Sequence, residues 1–142
     1  MKILRPKVIL LLCLLPFFQE CKSQNVLNDT IEWNASGFND LRSKSISQTY
    51  PGCQFISYRD DRIQWIQKRG QVVYDFIIKK TKGNWPDITK DGEIQYLVEL
   101  DRQIGKISIK RNKNDIKLTI HFSEWSHGSL ENRYQISNFK IL

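Results

Sequence analysis

The chain has 142 residues, the size of one domain, and its 40% hydrophobic and 26% charged residues exclude wholesale disorder. Twenty-two Lys and Arg against 15 Asp and Glu give a net charge of +7, and three cysteines are too few for a disulfide-stapled miniprotein. No repeat of solenoid length is present, which excludes the stacked-repeat architectures.

Residues 1–23 differ from the rest. Lys2, Arg5 and Lys7 precede an uncharged apolar run from Val8 to Phe18. At about eleven residues that run is shorter than the roughly 20 a membrane-spanning helix needs. A charged start, a short apolar run and a polar exit are the pattern of a secretory signal, so export is expected. Two processing routes fit. Cleavage after Ser23 places the small residues Cys21 and Ser23 at the −3 and −1 positions. Alternatively, a lipoprotein signal of residues 1–20 leaves Cys21 as a lipidated first residue. Phe18-Gln19-Glu20 lacks the small residue that a lipobox places before its cysteine, yet the Cys-Lys-Ser-Gln start resembles lipoproteins of some Gram-negative groups with a loose lipobox. The expected location is the periplasm or the bacterial outer membrane, otherwise the exterior, with membrane attachment only through Cys21.

Cleavage after Ser23 removes four bases (Lys2, Arg5, Lys7, Lys22) and one acid (Glu20), leaving 18 basic and 14 acidic residues, a net +4. That mild excess is only weak evidence for a nucleic-acid partner, and none is expected. It also leaves Cys53 without a partner in its own chain once Cys13 and Cys21 are removed or acylated, so burial is expected.

Residues 24–142 read as a single β domain. They hold sixteen isoleucines and only one alanine, Ala35, a composition that favours pleated, half-buried strands over helices. Apolar residues alternate at Ile94, Tyr96, Val98 and Leu100, at Ile107 and Ile109, and at Ile116, Leu118, Ile120 and Phe122. A spacing of two puts each set on one face of a strand. Val72 to Ile78 is apolar at most positions, which predicts a strand covered on both faces. Asp60-Asp61, Arg69-Gly70, Asp91-Gly92 and Asn112 to Asp115 supply the turns. The predicted strands are 29–34, 53–59, 62–68, 71–80, 93–101, 104–111, 115–123 and 133–141, with a loop or a single helical turn within 36–50. The fold expected is an all-β antiparallel meander of about eight strands. It forms either a closed or partly open barrel of lipocalin-like architecture or a two-sheet sandwich. The parallel with lipocalins is architectural, since no lipocalin signature is present.

An eight-stranded barrel either fills with side chains or holds one small ligand. The aromatic residues Trp65, Tyr74 and Tyr96, with Trp85 and Trp125 in the links, are the candidates for an apolar ligand. Trp85-Pro86-Asp87 lies in the long link 81–92, where a tryptophan either caps the core or anchors a partner. Lys106, Lys110 and Lys117 share one strand face, and Arg111 and Lys113 extend it into a turn, a candidate surface for an anionic partner. Lysine on a strand also discourages edge pairing, and no aromatics alternate with these residues as a single-strand nucleic-acid platform requires. His121, Glu124 and His127 form a weak metal-site or acid–base cluster, because His121 points away from the Ile120/Phe122 face. Asp60-Asp61 and Asp87 to Asp91 match turns, not a calcium loop. Phosphate loops, nucleophile elbows and paired-cysteine motifs are absent from the sequence, and no cofactor is implied.

These observations point to binding more than to catalysis. The expectation is an exported or envelope-tethered small binding module for an apolar ligand or a protein partner. The alternatives are a periplasmic inhibitor or immunity-type protein and, less favoured, a small hydrolase-like enzyme using the His121/Glu124/His127 region.

Overall fold

The structure, a computed structural model, describes residues 25–49, 52–126 and 128–142. The predicted signal segment with Cys21, and the candidate His127, lie outside the described residues. Among the described residues the chain forms nine strands and no α-helix: β1 (Thr30–Asp40), β2 (Ser45–Gln48), β3 (Gln54–Tyr58), β4 (Arg62–Gln67), β5 (Val72–Gly83), β6 (Gly92–Leu100), β7 (Gln103–Asn112), β8 (Asp115–Trp125) and β9 (Gly128–Ile141). Neighbours from β3 to β9 pair antiparallel, β3 also pairs with β1, and β9 returns to the other edge of β1. The β1–β9 ladder closes the meander into an eight-stranded barrel with β2 as an extra short strand. Of the two predicted architectures, the barrel forms and the sandwich does not.

The segment read as loop or helical turn within 36–50 is instead extended. β1 runs on to Asp40, and Gly37 to Asp40 pair with Gln48 to Ser45. The local Ser and Gly signals are overridden because β9 offers the same stretch a second ladder, from Gly37↔Gln135 to Asp40↔Asn132. β2 and β3 therefore lie end to end along one edge of β1, with Gln48 opposite Gly37 and Gln54 opposite Asn34. They occupy one barrel position as a single interrupted strand. Thr49, just after β2, and Cys53, just before β3, are each fastened to Ala35. The Thr49 hydroxyl donates to the Ala35 carbonyl at 3.0 Å, and the Ala35 N–H donates to the Cys53 carbonyl at 3.1 Å. β1 is itself irregular at this level, with register shifts against β9 at Asn34/Ala35 and Ala35/Gly37.

Alternation then sorts the side chains. Ile94, Tyr96, Val98, Ile107, Ile109, Leu118, Ile120 and Phe122 all point inward and are fully buried, as the period of two predicts. Gly105 lies under the Phe122 ring, where a Cβ would come within 2.4 Å of the ring carbon Cζ. The expectation for β5 is corrected. It is covered on one face only, and Val73 and Ile77 are 49% and 45% exposed. A closed barrel is one layer thick, so no second layer covers its outer face.

Candidate functional site

The two ends of the barrel are built differently. One end carries residues 25–29, the β3–β4 turn, the β5–β6 link and the β7–β8 turn. The other carries the β1–β2 turn, a 3-10 turn at Lys68–Gly70, and the β6–β7 and β8–β9 turns.

The first end is sealed. Val26, Trp85 and Ile88 are buried across it, and the Val26 N–H donates to the Trp85 carbonyl at 3.1 Å. The Trp85 indole stacks on Trp33, with ring centres 6.1 Å apart, and its N–H donates to the Lys90 carbonyl at 3.0 Å. Gly92 leaves room for that ring, since a Cβ there would meet Trp85 at 2.2 Å. The Trp33 N–H donates to Ser57, the fully buried hydroxyl beneath it, at 3.0 Å. Asp87 folds the link by accepting from the Thr89 N–H and hydroxyl. Arg111 holds the link from the side through the Ile88 carbonyl, at 2.9 Å.

The second end is open and aromatic. Trp65 stands at its centre. One side of Trp65 meets Phe55 and Tyr134, with ring centres 5.8 and 5.6 Å away, and the other side meets Tyr74 at 5.2 Å. Tyr74 continues to Trp125 at 5.4 Å, and Trp125 packs on Phe122 and Phe76. Two hollows flank this array. The outer is a shallow cleft of about 280 Å³ bounded by Tyr74, Leu100, Asp101, Gln103, Trp125 and Ser126. The inner is a hollow of about 140 Å³ lined by Phe38, Thr49, Cys53, Trp65, Gln67, Asn132 and Tyr134. Thr49 and Cys53 border it from the ends of β2 and β3, and Gln54↔Ile66 is the last β3–β4 rung on that side.

The groups around the inner hollow are neutral. Burial pushes the Cys53 thiol up from its ordinary range, and the Trp65 N–H beside it opposes that only in part. Burial likewise raises the Tyr134 phenol, despite the hydrogen bond from the Asn132 amide at 3.2 Å. Both therefore stay protonated at neutral pH. The Trp65 indole nitrogen is buried, and no described residue offers it an oxygen or nitrogen partner.

The structure thus divides the five ligand candidates. Trp65, Tyr74 and Trp125 come together at the open end. Trp85 seals the opposite end, and Tyr96 is buried inside the barrel, its hydroxyl without a hydrogen-bond partner and its ionisation suppressed first by burial and then by the charge of Asp60. Sequence reasoning missed Phe38 and Tyr134, which stack with ring centres 5.6 Å apart, and the hollow they line. Alternation over 133–141 could have marked Tyr134. Nothing local marked Phe38, whose strand was not foreseen.

The basic candidates lie on the outer wall. Lys110 and Lys117 are cross-strand neighbours, each beside a carboxylate: Lys110 to Glu93 at 3.5 Å and Lys117 to Asp115 at 2.9 Å. Arg111 spends its donors on the Lys113 and Ile88 carbonyls, and the Lys113 N–H is accepted by Asp91. Lys106 is exposed opposite His121. His121 and Glu124 are exposed on β8, and no three metal-ligating side chains converge among the described residues. No family model, curated protein or solved structure matches the chain.

Proposed function

We propose that this protein is an exported binding module for a small, largely apolar ligand, which it takes at the open end of its barrel. The carrying observation is the array Phe38–Tyr134–Trp65–Tyr74–Trp125, which flanks two hollows at one end while the other end is stoppered. Aromatic walls with a few polar groups are the usual make-up of small-molecule sites. The barrel is otherwise filled, which supports a compact ligand at the mouth and argues against a long one along the axis. Export rests on the charged start and short apolar run of residues 1–23. The test is native mass spectrometry of the protein purified from its own host, followed by fluorescence titration of any small molecule released. Titrations unaltered by Tyr74→Ala and Trp125→Ala would move the site elsewhere.

A second reading has its own observation. Val73, Ile77, Leu97 and Ile104 are 40–49% exposed on the outer faces of β5, β6 and β7, a patch suited to a protein partner in an inhibitor-like role. Stoichiometric recovery of one protein from envelope extracts, lost on Ile77→Lys, would favour it.

A further inference from the structure

At the sealed end β5 outruns its neighbour β4. β4 begins at Arg62, opposite Ile77, and the last bond on that side is the Ile78 N–H donating to the Asp61 carbonyl at 2.9 Å. From Lys79 to Gly83, β5 pairs with β6 alone, through Lys80↔Leu97 to Gly83↔Ile94. No described strand or turn bonds the backbone of that stretch from the other side. A strand turns its N–H and C=O groups alternately to its two edges, so the free edge is half of an unmade ladder. A cleft of about 680 Å³ runs beside it. Its borders are Ile78 to Thr81, Arg59 and Asp60 of the β3–β4 turn, and Leu27 and Asn28 ahead of β1.

The edge is basic. Lys79, Lys80 and Lys82 are exposed along it, and Arg59 is exposed across the cleft. Glu99 holds Lys79 at 3.0 Å, whereas Lys80, Lys82 and Arg59 have no ion-pair partner among the described residues. Lysines on an edge deter a second basic edge, and the same charges favour an acidic one. Register fixes the pattern such a strand needs. Past the irregularity at Lys79, Thr81 lies opposite the inward-facing Tyr96, so Lys80 and Lys82 face outward. A strand laid on this edge sets alternate side chains beside Lys80 and Lys82. The side chains between them turn toward Ile78, Thr81 and Leu27, which are half-buried.

We infer that the free edge of β5 takes an extended segment of a partner protein as an added strand, with acidic residues at alternate positions and apolar residues between them. Main-chain bonds to the edge supply the grip, and Lys80, Lys82 and Arg59 select for the acids. The site lies at the sealed end and is independent of the open-end ligand reading, which its failure would leave standing.

The probe is a short fluorescent peptide of alternating Glu and Val. One control carries Lys in place of Glu, and another is the acidic peptide N-methylated along one edge, which keeps its charge and blocks its ladder. The acidic peptide binds the protein, read by fluorescence anisotropy, and neither control does. In the ¹⁵N-labelled protein the amides of Lys79 to Gly83 that face away from β6 then exchange more slowly. Lys80→Glu combined with Lys82→Glu weakens the acidic peptide about tenfold and admits the basic one. Exchange is read in the unaltered protein, so the result does not depend on how well the variant folds. Unchanged exchange at those amides with the peptide bound, or equal binding of the N-methylated peptide, overturns the inference. So does failure of the acidic peptide to bind at millimolar concentration. If single-stranded DNA binds as tightly as the peptide and neither slows those amides, the edge is a plain polyanion surface and the inference falls.

Discussion

Both ends of this barrel are built around tryptophan, yet they use it in opposite ways. At the sealed end Trp33 and Trp85 stack on each other, and each indole N–H meets an acceptor from its own chain, Ser57 or Lys90. At the open end Trp65 stacks equally well, on Phe55 and against Tyr74 and Tyr134, but its N–H has only the Cys53 sulfur, a weak acceptor, beside it. Aromatic packing alone therefore does not distinguish structure from function here. What distinguishes them is how well the polar edge of the ring is satisfied within the fold and whether a hollow lies beside it.

The comparison breaks most directly at the sealed end. Trp85→Ala removes the largest part of the stopper and leaves Val26, Ile88 and Trp33 around a void, so a loss of about 3–5 kcal/mol is expected in denaturant melts. Trp125→Ala, at the half-buried rim of the open end, should cost far less stability while abolishing ligand response. Equal losses from the two substitutions would mean that both ends are simply core. Next in size, Gly105→Ala puts a methyl group into the Phe122 ring, which the barrel wall on that side cannot yield to freely. Overpacking of this kind costs about 1–3 kcal/mol. Because Phe122 supports Trp125, with ring centres 5.1 Å apart, the same substitution should also disturb the outer cleft, readable as a change in Trp125 fluorescence.

How far the sequence foretold this division depends on the element. The inward sets of β6, β7 and β8 were legible residue by residue, because strict alternation leaves one choice of face. The capping of the core by Trp85 was visible as one of two options and was decided by Ile88 and Gly92 of its own link and by Val26 from the stretch before β1. The open end was half legible. Trp65, Tyr74 and Trp125 stood out as aromatics, but their convergence depends on closure of β9 onto β1, a pairing across about a hundred residues that no local pattern encodes. The inner hollow was not legible at all. Its lining comes from residues 38, 49, 53, 65, 67, 132 and 134, which no local pattern brings together, and the Ser- and Gly-bearing stretch 36–50 reads locally as an ordinary loop. Likewise, Lys110 and Lys117 looked like a free basic face until register placed Glu93 and Asp115 beside them.

The smallest expected effects are in pH dependence. The carboxyls of Asp87, Glu93 and Asp115 sit at the sealed end and are held below their ordinary range, by Thr89, by Gln95 and by Lys117 respectively. Asp40, held down by Ser43 and the Arg42 N–H, does the same at the open end. Depressed carboxyls contribute stability that is present above the ordinary carboxylate range and is lost as pH falls through it. Acid should therefore loosen the Thr89 amide, bonded to Asp87, and hydrogen exchange at that amide should follow the carboxyl titration. On the alkaline side the group to watch is Cys53 at the open end, a raised thiol. The unfolded chain ionises it at the ordinary thiol value and the folded chain resists, so stability is lost as pH climbs past that value. The raised Tyr96 and Tyr134 extend the loss at still higher pH. Cys53→Ala should accordingly delay the alkaline decline until the tyrosine range, about 1.5 pH units higher, while leaving the acid limb unchanged. An alkaline limb that Cys53→Ala does not shift would show that the thiol is no more buried in the fold than out of it, and the inner hollow would then be open water.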